Sequence, residues 1–316
     1  MKRSLPIRLS LGLILGLACA PACSSKAPLG PLPSPGPDAG PVDPKACRAC
    51  TFGDPEDAGR IDHDELDELS GLAASRVHAG VLYTHNDSGD LARFFGIDEA
   101  GVVHAEHTLE GITAEDTEDI AVGPCASGSC VFLGDIGDND EKRKDVRVYR
   151  MPEPGTSSDS LRPEVLVAKY PDGPHNAETL LVLQKSGAAG NAGDMIVVTK
   201  SPTGVSGVYR LPAEAQPGTT HVLEKKGELL VPENGSPLVT GGSVHPCEDR
   251  ILIRTYATLF EYRFTGGLDT AFSGTPTVLP VSKEPQGEAV TYSADGAHVF
   301  TVSEGKRPTL HRKDCQ

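Results

Sequence analysis

The sequence predicts an all-β protein of the β-propeller class, with five blades and six as the alternative count. Three observations carry this. Apolar runs are short, rich in Val, Ile, Leu and Tyr, and divided by turn residues: "GVLYTH", "CVFLGD", "VRVYRM", "EVLVAKY", "DMIVVTK", "RILIRTY" and "HVFTVS" are examples. Runs of that length and composition are strands. No long amphipathic helical pattern occurs anywhere. Most decisively, the pattern repeats at a blade-like spacing.

The repeat appears when five segments are aligned on one apolar residue. They are "LSGLAAS" on Leu72, "TEDIAVG" on Ile120, "AETLLVL" on Leu180, "GGSVHPC" on Val244 and "GEAVTYS" on Val290, at steps of 48, 60, 64 and 46 residues. Each is the first strand of a blade. A second strand follows and ends in a polar group, as in "YTHNDSG", "LGDIGDN" and "VVTKSPT". A third is clearest in "RVYRMPE" and "GVYRLPA", and a weaker fourth in "PEVLVAKY". The last repeat lacks its fourth strand. The stretch "AGRIDHDEL" before the first repeat is expected to supply it, through residues 59–66, and so close the ring without free edges. The longer steps around residues 140–177 and 200–240 are where a sixth sheet would hide.

The chain opens with "MKRSLPIRLSLGLILGLAC". A basic start and a short apolar stretch make residues 1–19 a signal peptide, too short to span a membrane permanently. The run Leu15-Gly16-Leu17-Ala18-Cys19 matches a bacterial lipobox, which makes Cys19 the expected lipidation site. Residues 20–50 are dominated by Pro and Gly and read as an extended tether. Residues 51–316 are left for the propeller. A lipid-anchored protein of the bacterial cell envelope is therefore expected. The net charge of −15 argues against nucleic acid or an anionic lipid surface as a partner. A monomer is expected.

Blade geometry then gathers the polar residues. The first strand lines the channel and the second runs antiparallel beside it. The start of one therefore adjoins the end of the other, at one mouth. One ring is Ser70, Glu118, Glu178, Gly242 and Glu288. The other is His85, Asp135, Lys200, Tyr256 and Glu304, with Asn86, Asp87, Asp138 and Asn139 close behind. Asp119 and Arg254 are added as ligand-binding candidates. Acids converging from separate blades point to calcium or another hard divalent cation, which takes several oxygen ligands with tolerant geometry. The expected metal ligands are Glu118, Glu178, Glu288, Asp135, Asp138 and Asn139. Hydrated acids, or glutamates paired with Lys200 and Arg254, are the plainer alternative. "DIGDNDE" is not an EF-hand loop, because it lacks the alternation and the sixth-position glycine. No Gly-x-Ser-x-Gly or His-Glu-x-x-His motif exists. His85, and less so His175, are the acid–base candidates.

Eight cysteines fit export. Cys125 and Cys130 flank "ASGS" in a tight turn, and a bridge between them is expected. Cys47, Cys50, Cys247 and Cys315 are expected to pin the ring closure, in a pairing that sequence leaves open.

The motifs "LSGLAAS", "THNDSGD", "EDIAVGP", "LGDIGDN", "VYRMPEP", "AETLLV", "TGGSVHP" and "QGEAVTYSADG" resemble, in this order, a largely uncharacterised family of secreted bacterial β-propeller proteins. The resemblance covers about residues 66–305. It implies a propeller and export, and no particular reaction. In architecture the chain is more distantly similar to calcium-dependent β-propeller phytases and gluconolactonase-type propellers, which hold a cation at the channel mouth. From the lactonase likeness, Glu118, Asn139 and Asp135 would form the metal set. From the phytase likeness, only Lys200 and Arg254 answer to the phosphate-binding bases. Two classes of function follow. One is a surface binding protein for a small molecule, glycan or protein. The other is a metal-dependent hydrolase of a phosphoester or lactone.

Overall fold

The computed structural model describes residues 50–233 and 235–316. Cys19, the signal peptide and residues 20–49 of the tether lie outside them. The described residues form twenty-two strands in five sheets, and no helix occurs among them. The architecture is a five-bladed β-propeller.

Strand β1 (Glu56–Arg60) comes first in the chain but belongs to the last blade. Blade 1 is β2 (Leu69–Ala74), β3 (Val81–Asn86), β4 (Arg93–Asp98) and β5 (Val103–Leu109). Blade 2 is β6 (Thr117–Cys125), β7 (Gly128–Asp135), β8 (Val146–Pro152) and, after the short β9 (Asp159–Leu161), β10 (Glu164–Lys169). Blade 3 is β11 (Ala177–Val182), β12 (Met195–Thr199), β13 (Val205–Leu211) and, after the short β14 (Thr220–Val222), β15 (Glu224–Leu230). Blade 4 is β16 (Val239–Val244), β17 (Arg250–Thr255), β18 (Leu259–Arg263) and β19 (Thr277–Leu279). Blade 5 is β20 (Gly287–Tyr292), β21 (His298–Ser303) and β22 (Thr309–Asp314), completed by β1.

The innermost strands β2, β6, β11, β16 and β20 neighbour one another around the ring. β11 and β20 are buried along their whole length, whereas the outer β10 alternates between exposed and buried. The period of two explains the core. Phe132 faces blade 3, while its neighbours Val131 and Leu133 face blade 1. Each sheet thus has two apolar faces, and the described core divides into five clusters, one per pair of adjacent blades. Burial on both faces makes the middle strands near-continuous apolar runs.

Two details differ from the sequence expectation, and the six-blade alternative is excluded. The closing strand is Glu56–Arg60 rather than residues 59–66, and Ile61 and Leu66 instead bury their side chains between blades 5 and 1. The long steps hide no sixth blade. They hold β9 and β14, which leave their own blades and pair in parallel with β5 of blade 1 and β10 of blade 2. These borrowed strands cover edges that would otherwise be open. Finally, the alignment of blade 4 shifts by two residues, so that Thr240, not Gly242, occupies the ring position.

Two disulfides join described residues and staple the fold. Cys125 is bridged to Cys130 in the β6–β7 turn, as expected, and Cys50 to Cys315 across the closure. Cys247 is disulfide-bonded as well. Such bonds belong to oxidising compartments. Backbone pairing reinforces the closure: Gly53 N donates to Asp314 O and Gln316 N to Thr51 O. The buried Arg250 donates to Cys50 O at 2.8 Å.

Candidate functional site

All five innermost strands carry the same irregularity near their start. Pairing with the second strand skips one residue, between Leu69 and Gly71, Thr117 and Asp119, Ala177 and Thr179, Val239 and Gly241, and Gly287 and Ala289. The skipped residues are Ser70, Glu118, Glu178, Thr240 and Glu288. A bulge frees a residue from the ladder and re-aims its side chain. The two short hydroxyls are spent locally: Ser70 Oγ donates to Glu118 O at 2.6 Å and Thr240 Oγ1 to Gly287 O at 2.8 Å, each on the next blade. The three longer glutamates enter the mouth.

They line a cavity of about 170 Å³ with Asp87, Asn139, Lys200, Tyr256 and Glu304, so every blade contributes. Lys200 Nζ contacts Glu178 Oε1 and donates to Tyr256 OH at 2.8 Å. Asp87, Asp116 and Glu118 bring one oxygen each within 4.8 Å of one another, a grouping that could hold a metal ion. The residues fit a hard cation in a second respect. Asp116 Oδ1 and Glu288 Oε2 are buried without a hydrogen-bond partner. Buried acceptors left bare are costly, and a cation or a donor would satisfy them.

Sequence reasoning placed Ser70, Glu118, Glu178, Glu288, Asp87, Asn139, Lys200, Tyr256 and Glu304 at the mouth, and the structure brings them together there. It missed Asp116, which precedes its strand and belongs to no repeat position. Several expected members lie elsewhere. Asp135 is fully buried and builds the wall. It accepts from Asp116 N at 3.0 Å, Glu115 N at 3.2 Å and Tyr149 OH at 2.7 Å, and pairs with Arg143 at 2.8 Å. It thus holds the segment that presents Asp116. Asp138 is also turned inward, accepting from Lys142 N and Arg143 N, while its own N–H goes to Asn176. Gly137 passes so close to Asp116 and Glu118 that a Cβ there would collide with both carboxylates. The stretch "GDIGDND" is therefore mainly scaffold, and Asn139 is its member at the cavity.

Asp119 points away from the cavity. Its oxygens accept from Ile120 N and Leu180 N, both at 2.8 Å, so it latches blade 2 to blade 3. Asn86 holds the preceding loop through Glu65 O and Glu68 N. Arg254 is completely buried against Glu284, behind the cavity wall. His85 is likewise fully buried; its Nδ1 donates to Asn86 O at 2.7 Å, and burial lowers its pKa to about 4. His175 is engaged with Asp172 at 3.0 Å. Neither histidine lines the cavity. Asp119 and Asn86 are each adjacent in sequence to a cavity residue, Glu118 and Asp87, and alternation turns their side chains another way; His85 and Arg254 lie two residues before Asp87 and Tyr256, deeper in their strands.

Crowding sets the electrostatics. Burial first, then neighbouring carboxylates, pushes Glu288 up to about 9, Asp116 up to about 6 and Glu118 well above its ordinary value. Burial raises Glu178 to about 7, although Lys200 opposes the rise. Folded protein then binds more protons than unfolded chain from about pH 5 to 9, so stability falls as pH rises through that window. His85 works in the other direction, and its share is lost as pH falls from about 6.5 through 4. Melting curves in chelator should therefore peak at mildly acidic pH and decline towards pH 9. A curve flat from pH 6 to 9 would show that the carboxylates are hydrated and unstrained.

No protein-family model matches the chain, and no curated protein does. Among solved structures, it is similar to the PQQ-bound form of an aldose sugar dehydrogenase from Streptomyces coelicolor. The identity is 11% and the TM-score 0.47, with 85% of this chain and 99% of that chain covered. A chain of the mitotic checkpoint complex is similar at 14% identity and TM-score 0.38, over 76% of this chain and 60% of that one. Such likeness concerns the path of the chain and says nothing about ligands.

Proposed function

We propose that this protein is an exported, lipid-anchored binding propeller whose mouth takes up calcium or a similar hard cation. The observation that supports it most is the convergence of Asp87, Asp116 and Glu118 from two blades, with an orphaned oxygen on Asp116. Calcium accepts six to eight oxygens, and carboxylates held by a rigid scaffold supply the charged part of that shell. The resident ion would offset the charge of these three carboxylates and join two blades. Anchoring rests on the Cys19 motif. Export agrees with the disulfides.

The second reading, a metal-dependent hydrolase of a phosphoester or lactone, keeps the same cation. Its acid–base candidate, His85, lies behind the inner strand, which places binding first. Calorimetry of calcium into chelator-stripped protein tests the common premise. Saturable binding that Asp116→Asn weakens at least tenfold is expected. No heat with wild-type protein would sink both readings. Turnover of phosphoester or lactone panels that chelator abolishes would replace binding with hydrolysis.

A further inference from the structure

The mouth holds two unlike groups of side chains. One is the cation group, Asp87, Asp116 and Glu118. The other includes Glu288, Glu304 and Tyr256, which line the cavity with Asp87 and Glu118. Glu288 lies outside the three-carboxylate group, is only 7% exposed, and has a buried oxygen without a partner. It faces a space of about 170 Å³. That is room for roughly six waters at about 30 Å³ each, more than one ion needs.

The chemistry of the lining restricts what enters. Leu69 is its one aliphatic side chain, so an apolar ligand gains little. Anions meet carboxyl groups from four blades and one ammonium. That ammonium, on Lys200, is already held by Glu178 and Tyr256. Arg254, the other base considered for an anion, is buried against Glu284. A divalent ion on the cation group would leave Glu178, Glu288 and Glu304 beside Lys200, so the rest of the lining offers an anion little. Three carboxylates also leave a calcium ion with coordination positions open to neutral oxygens. A carboxyl oxygen accepts a hydroxyl hydrogen in either protonation state, most strongly when ionised.

We propose that the mouth recognises an uncharged sugar: two vicinal hydroxyls complete the cation's shell, and another hydroxyl donates to Glu288. This deepens the binding reading above and rests on its cation. It names the ligand class as a neutral saccharide unit, in place of a phosphoester or another anion.

The test uses saturation-transfer NMR on the folded protein with three probes: methyl α-mannopyranoside, mannose 6-phosphate and cadaverine. Each is measured in calcium and in chelator. The neutral glycoside should bind in calcium only, and the phosphate should bind at least tenfold more weakly. Glu288→Leu should reduce glycoside affinity at least tenfold. Should that variant not fold, Glu304→Gln should reduce affinity severalfold on a smaller perturbation. Calcium binding without binding of the glycoside overturns the sugar and leaves the cation. Absence of calcium binding overturns the cation reading itself. Preference for the phosphate identifies an anion site, and cadaverine binding in chelator identifies an ammonium site; either replaces the proposal. Glycoside binding unchanged in both variants removes Glu288 and Glu304 from recognition.

Discussion

Calcium added to chelator-stripped protein should raise its melting temperature by about 5–10 °C at a concentration a hundredfold above the dissociation constant. A ligand that binds only the folded state adds about 2.7 kcal/mol at that ratio. A domain of this size shifts by roughly 2–4 °C per kcal/mol. The effect should depend on the three carboxylates that approach one another. Glu118→Gln should remove most of it. Without calcium the same variant should melt no lower than wild type, because burial and like charge already disfavour the ionised Glu118. Glu164→Gln, at an exposed position of an outer strand, should leave the response intact. This pairing separates a cation site from general screening of an acidic surface. Equal stabilisation of wild type and Glu118→Gln by calcium would assign the effect to screening.

Loss of the Cys50–Cys315 bridge should lower the melting temperature by roughly 10–20 °C. The bridge spans 265 residues, nearly the whole propeller. The loop-entropy model gives about 5 kcal/mol for a loop of that length, and the same conversion to temperature applies. Cys125–Cys130 spans only 5 residues, for which the model gives about 2 kcal/mol. Cys50→Ser with Cys315→Ser should therefore cost more than Cys125→Ser with Cys130→Ser. The closure has other supports, including β1 against β22, Lys313 Nζ donating to Gly53 O at 3.0 Å, and Arg250 donating to Cys50 O. They should keep the double variant folded at room temperature. Thermal melts of the two double variants decide the point. A larger loss from the Cys125–Cys130 pair would mean that the short turn, not the ring closure, limits stability.

What the sequence alone determined was periodic. Strand alternation and turn residues recur at each blade, so the class, the count of five and the circular closure were legible from residues such as Leu72, Ile120, Leu180 and Val290. The same periodicity placed Glu118, Glu178 and Glu288 at one ring position, which the structure marks with a bulge in every blade. Where the repeat weakens, so did the reading. Blade 4 shifted from Gly242 to Thr240, because "TGGS" offers no large side chain to set its register. Tertiary structure alone decided the rest. Asp116 reaches the cation group because Asp135, nineteen residues later, binds its N–H. Asp119 is lost from the cavity because it sits one residue from Glu118, and His85 because it lies within β3, two residues before Asp87. β9 and β14 pair with neighbouring blades over three residues each, too short to leave a pattern. Local propensity and spacing write the blade. The site depends on loop hydrogen bonds between residues distant in the chain, and those have no period to read.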